Sequence, residues 1–216
     1  MDFELSAEEA RVLGSLQEKE MTTPDYYPLS LNALLNACNQ KSNRNPVVSY
    51  DEKTVFSALD GLKEKRLVWR SDADRVPKYA HGLDKRLNLV RREAAVVCLL
   101  LLRGPQTIGE LRGRSERLYE FISLEEVAET LQNLEDVGVV RKLPRQPGRK
   151  ESRYAHLFSG EPEQLEPDRV ASPETEALPA GIDEEPIATL QQEMAALRAD
   201  LEEMRQGFLE FKRQFE

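Results

Sequence analysis

Four residue types in this chain could do chemistry beyond packing: His, Cys, and the scattered Lys and Arg. The two histidines, His81 and His156, close the same tripeptide, Tyr79-Ala80-His81 and Tyr154-Ala155-His156. A repeated structural role accounts for both, because general acid-base catalysis would also need a positioned partner that the sequence does not supply. Cys38 and Cys98 lie in apolar helical patterns with no CxxC pair and no clustered His. They read as buried, reduced thiols rather than a disulfide or a zinc site. No glycine-rich phosphate loop, nucleophile elbow or metal-ligand spacing is present, so no catalytic residue, cofactor or metal is expected.

The basic residues carry a different chemistry, that of phosphate contact. Arg141, Lys142, Arg145, Arg149, Lys150 and Arg153 face the single acid Glu151, and Pro144, Pro147 and Gly148 make their loop project. A projecting cationic loop suits the backbone of a nucleic acid. Lys41, Asn43 and Arg44 stand ahead of a helix whose exposed start carries Lys53, Thr54 and Ser57, side chains able to reach base edges as well as phosphates. Such an interface requires a continuous positive strip joining Arg44, Lys53 and the Arg149 loop. One helix argues against a second reading surface: Leu124 to Val137 presents Glu125, Glu126, Glu129, Glu135 and Asp136 without one Lys or Arg.

These residues are positioned by an internal repeat. Adding 72 to Val55, Leu59, Leu62, Leu67 and Val68 gives Val127, Leu131, Leu134, Val139 and Val140, and the terminal tripeptides match at an offset of 75. Val12 to Leu16 matches Val96 to Leu100 at an offset of 84, so the first copy is 12 residues longer in its middle. Each copy reads as three helices and a hairpin. In copy one, Ser6 with Glu9 caps the first helix and Ser30 the second; the third, which runs to about Arg66, is capped by Ser49 with Glu52 or by Asp51 itself, and the repeat alignment favours Asp51; strands cover Leu67–Arg70 and Val76–Ala80. In copy two, helices span Asn88 to Arg103, a short segment capped by Thr107 with Glu110, and Leu124 to Val137 capped by Ser123 with Glu126. Strands follow at Val139–Leu143 and Ser152–Phe158.

The charge is unevenly spread. Of the net −9, residues 161–186 hold nine acids against one Arg, while residues 1–160 hold 24 acids and 25 bases. With five Pro and few large apolar groups, 161–186 reads as a disordered linker. Beyond it, Ile187, Leu190, Met194, Leu197, Leu201, Met204, Phe208, Phe211 and Phe215 alternate steps of three and four, a heptad seam. Glu193 and Asp200 then oppose Arg198 and Arg205 of a parallel partner, which favours a parallel homodimer; the alternative is one amphipathic helix docking on the body or on a protein partner. The acidic start and a longest apolar run of nine residues, Ala94 to Leu102, speak against a secretory signal or membrane span. A cytoplasmic location is expected.

At Cys38-Asn39-Gln40-Lys41-Ser42-Asn43-Arg44-Asn45-Pro46-Val47 and at Leu5 to Leu16 the chain resembles the bacterial YceH protein family, over about residues 4 to 160. The resemblance implies a bacterial cytoplasmic protein with two winged-helix domains and brings no site residues with it. The expectation is therefore an α+β, mostly helical fold. Two tandem winged helix-turn-helix domains, 1–84 and 85–160, precede the acidic linker 161–186 and a coiled-coil helix 187–216. The expected function is non-enzymatic binding of double-stranded DNA by a dimeric transcriptional regulator. The alternative is an interaction module that binds protein.

Overall fold

The computed structural model describes residues 3–71, 76–145 and 151–160. The acidic linker, the whole heptad series from Ile187 to Phe215, and the loop residues Arg149 and Lys150 lie outside them. The fold is α+β, about half of the described residues helical, with small antiparallel sheets.

The first copy begins with helix α1 (Ala7–Thr22), whose start is fixed by a reciprocal cap: Ser6 Oγ accepts from Glu9 N–H at 3.2 Å, and Glu9 Oε2 accepts from Ser6 N–H at 2.8 Å. Pro24 ends it in a 3₁₀ turn, Pro24–Tyr26. A two-residue strand β1 (Leu29–Ser30), which the sequence pattern does not show, leads into α2 (Leu31–Cys38), with Ser30 as its cap. Helix α3 (Glu52–Glu64) is capped by Asp51, the choice that the repeat alignment favours. It stops two residues short of the expected Arg66, which takes φ +57° to turn the chain into β2 (Val68–Ser71). Strand β3 (Lys78–His81) pairs antiparallel with both β2 and β1, so the sheet order is β1-β3-β2.

A short helix, α4 (Leu83–Leu87), is a further addition to the expected plan, and the expected boundary between residues 84 and 85 falls inside it. Asn88, at φ +52°, closes α4 in the left-handed conformation, so α5 (Arg91–Arg103) starts three residues later than its apolar pattern suggests. Gly104, at φ +68°, ends α5. Helix α6 (Ile108–Ser115) has the expected Thr107–Glu110 box. At α7 (Leu124–Asp136), Ser123 accepts from Glu126 N–H, but the Glu126 carboxylate turns to Ile122 N–H and the Tyr119 hydroxyl instead of completing the box. The hairpin β4 (Val140–Lys142) and β5 (Tyr154–His156) closes the second copy.

The copies share one core. Helix α5 is buried from Ala94 to Leu102, and α1 packs along it. At the crossing a Cβ on Gly14 would stand 3.0 Å from Leu101 Cβ, so only glycine permits this approach without a shift. The Cys98 thiol donates to the Gly14 carbonyl at 3.6 Å. Gly14 and Cys98 are counterparts at the offset of 84, so the copies meet at matching positions of matching helices, as in a two-fold pair. The chain's start also reaches the second copy: Leu5 N–H donates to Phe158 O at 2.7 Å, and Phe3 stacks on the Phe158 ring at 5.9 Å.

Candidate nucleic-acid interface

Of the 12 extra residues of copy one, seven precede α2, since Leu31 matches Ile108 at an offset of 77, and five lengthen the α2–α3 connection, which carries the loop Asn39–Tyr50. The Asn39 side chain closes its base, donating to Tyr50 O and accepting from Tyr50 N–H, both at 2.8 Å. Two guanidinium groups fill it. Arg11 donates to Cys38 O and Arg44 to Ala37 O, satisfying carbonyls at the C-terminal end of α2, where cations are favoured, and Arg11 also reaches Pro46 O within the loop.

Arg44 is therefore not a groove-reading residue. Its side chain is 0% exposed, and Nη2 and Nη1 donate to both Glu18 carboxylate oxygens at 2.6 and 3.1 Å. Burial pushes the Glu18 carboxyl up, but Arg44 and Lys19 more than offset it, leaving its pKa below the ordinary value. A position that reads in sequence as an exposed base is half of a buried ion pair.

The α3 face also departs from expectation. Lys53 and Ser57 are exposed and Thr54 half-buried, as a reading helix requires. They share a cleft, however, with Glu4, Glu8 and Glu9 at the start of α1, and Lys65 is paired with Glu9. Phosphate approaching Lys53 meets carboxylates. The positive strip through Arg44 and Lys53 does not form.

Of the hairpin cations, Arg153 is half-buried, donating to Pro105 O at 2.8 Å with Glu110 Oε2 3.5 Å away; it ties β5 to the start of α6 instead of projecting. Arg145 is exposed at the foot of the loop and engaged within the protein. On α7, Glu125, Glu129 and Asp136 are exposed, whereas Glu126 and Glu135 are half-buried, Glu135 accepting from Lys142 N–H.

The cations that do converge lie elsewhere. A groove of about 710 Å³ runs between the Asn39–Tyr50 loop and the α5–α6 region, lined by Lys19, Lys41, Asn43, Arg103, Arg114 and Arg117. Its acids are Glu116 and the already neutralised Glu18. Asn43, at φ +60°, accepts from Arg103, so the loop is stitched to the end of α5; Asn45 N–H adds a bond to Leu102 O at 2.9 Å. Burial lowers the Arg103 pKa, and the nearby charges of Arg114 and Arg44 lower it further. Lys41 and Arg117 are exposed and have no ion-pair partner among the described residues. Crowded cations with an open face are relieved by an anion. Of the residues that the sequence singles out, Lys41 and Asn43 belong to this groove; Lys19, Arg103, Arg114 and Arg117 it does not reveal. They come from both copies, and only the packing of α1 on α5 joins them.

A second cluster is equally hidden in the sequence. His81, Glu20 and Asp84 converge where β3 enters α4, against the end of α1. The pair His-x-x-Asp at 81–84 is its only local sequence signal, since Glu20 arrives from 61 residues upstream. His156 has no such company: burial lowers its pKa to about 4, and its ring packs 5.6 Å from Phe158.

Fold and groove together define a duplicated α+β protein with a cation-lined cleft between its copies; no described helix is long and apolar enough to cross a membrane. The family model described as "Protein of unknown function, DUF480" matches residues 5–149, and the chain belongs to that family. It is 53% identical over 217 residues to a UPF0502 protein of Solibacter usitatus (strain Ellin6076) and 52% identical over 219 to one of Geotalea uraniireducens (strain Rf4), with 100% of each chain covered in both cases. A UPF0502 protein of Koribacter versatilis (strain Ellin345) is 57% identical over 161 residues, 73% of this chain and 75% of that one. The full-length matches extend the likeness through residues 161–216, beyond the span of about 4 to 160 that the family resemblance covers.

Proposed function

We propose that this is a non-enzymatic DNA-binding protein of the cytoplasm, a transcriptional regulator built from two winged helix-turn-helix copies and dimerised through its C-terminal heptads. The observation that carries the reading is the groove lined by Lys19, Lys41, Arg103, Arg114 and Arg117, a cationic concavity whose acids are outnumbered and in part already paired. It replaces α3 as the principal contact with phosphate. A dimer would double that contact and raise its salt sensitivity.

The test is a titration of the full chain against mixed-sequence duplex DNA at several salt concentrations. Binding tightens at low salt, and replacing Lys41, Arg114 and Arg117 by Ala flattens the log–log salt slope by about 2–3, roughly 0.9 for each phosphate that is no longer neutralised. Deletion of 187–216 gives a monomer in light scattering.

A second reading, an interaction module that binds protein, is favoured by the carboxylates around α3 and on α7. It gains the ground if no duplex binding is measured at about 50 mM salt, where even non-specific binders register.

A further inference from the structure

The His81 side chain is 1% exposed, and the only close polar contact of its ring nitrogens among the described residues is with the Glu20 carboxylate. Nε2 stands at ion-pair distance, 2.6 Å, from Glu20 Oε2, and Nδ1 has no hydrogen-bond partner among the described residues. A buried imidazole pressed against a carboxylate at one nitrogen and unpartnered at the other is unusual enough to require an explanation. Asp84 supplies a second carboxylate: one ligand atom from each of the three residues lies within 4.8 Å of the others.

The surroundings hold these groups in place. Gln17 Nε2 donates to Asp84 Oδ1 at 2.6 Å, which orients that carboxylate. His81 N–H donates to the Tyr27 hydroxyl at 2.7 Å, which pins the backbone that carries the imidazole. Glu20 is 46% exposed, so the cluster opens on a cleft lined also by Trp69, Lys85 and Arg91.

We propose that Glu20, His81 and Asp84 bind a divalent transition-metal ion of the Zn²⁺ class, with a remaining coordination position open to the cleft. One imidazole and two carboxylates form a donor set that suits Zn²⁺; Mg²⁺ and Ca²⁺ favour oxygen alone. The ion ties the last turn of α1 to the β3–α4 corner. Lys85 and Arg91 offset part of the carboxylate charge at the rim, which keeps the affinity below that of a closed structural site. Copy two is the internal control, because the positions matching Glu20 and Asp84 are Gly104 and Ser159.

The full chain, stripped with a chelator, is titrated with Zn²⁺ by calorimetry and with Co²⁺ by visible absorption. Trp69, the single tryptophan, reports from the same cleft. The expected result is one ion per chain, with affinity falling at least about 10-fold in both E20Q and D84N and unchanged in H156Q. Circular dichroism of E20Q, a change at a partly exposed side chain, separates lost binding from lost folding. The proposal is overturned if Zn²⁺ does not bind saturably at one per chain, if folded E20Q and D84N bind as the parent does, or if Mg²⁺ binds as well as Zn²⁺.

Discussion

The two copies share helices, hairpin and the Tyr-Ala-His ending, but differ in what their first helices bury. Helix α5 buries an unbroken apolar run, whereas α1 buries Arg11, Gln17 and Glu18, where the aligned positions of α5 hold Ala95, Leu101 and Leu102. Two of these side chains serve the longer α2–α3 loop of copy one: Arg11 holds Pro46, and Glu18 holds Arg44; the third, Gln17, holds Asp84. Duplication has kept the apolar frame, and the buried polar chemistry of the first helix has diverged with the lengthened connections of copy one.

The largest expected effect lies in the ion pair that copy two lacks. Arg44→Ala strands the Glu18 carboxylate in the interior and should lower the unfolding free energy by about 3–5 kcal/mol in urea titrations. An effect below about 1 kcal/mol would reduce the pair to an ornament of the loop and remove the main contrast between the copies. Next is the point where they touch. Gly14→Val drives methyl groups into Leu101 and Leu102 and should cost about 1–3 kcal/mol, more if α1 cannot move.

The matched histidines give a third test. Burial keeps the His156 ring neutral, with a pKa of about 4. Above the unfolded value of about 6.5 neither state takes the proton. Between there and pH 4 the unfolded chain takes it and the folded one does not, so stability falls as pH falls. Between pH 7 and pH 4.5 the parent should lose on the order of 2 kcal/mol more than His156→Gln, measured as the difference in unfolding free energy. Equal losses would mean that the ring is solvated. The smallest effect is expected on the face of α3: Lys53→Ala, among the carboxylates, should change duplex affinity by less than about 2-fold, a neutral surface contact. Lys41→Ala should weaken binding by about 3-fold or more. A reversal of that order would restore α3 as the reading element.

Much of the fold is legible in the sequence because its signals are local. Ser6 with Glu9, Asp51, Thr107 with Glu110, and Gly138 mark element ends through contacts within four residues. Strand β1 and helix α4 escape such a reading because two and five residues leave no period to detect. The candidate site is harder to read because it is tertiary. Nothing adjacent to Arg44 signals that Glu18 will neutralise it, and nothing adjacent to Lys53 signals that the start of α1 will surround it with acids. Lys41 stands out because it is exposed in a polar loop; Arg103, Arg114 and Arg117 sit in the other copy and become its neighbours only through helix packing.

The contact of Leu5 and Phe3 with Phe158 bears on the order in which the molecule is made. A ribosome releases Val12, Leu13 and Leu16 long before it has synthesised the helix that covers them, and the body's last seam closes only once Phe158 has left the exit tunnel. The nascent first half is thus an unfinished product with a bare apolar flank, and a stalled or truncated message would yield a fragment prone to aggregation rather than a small working domain.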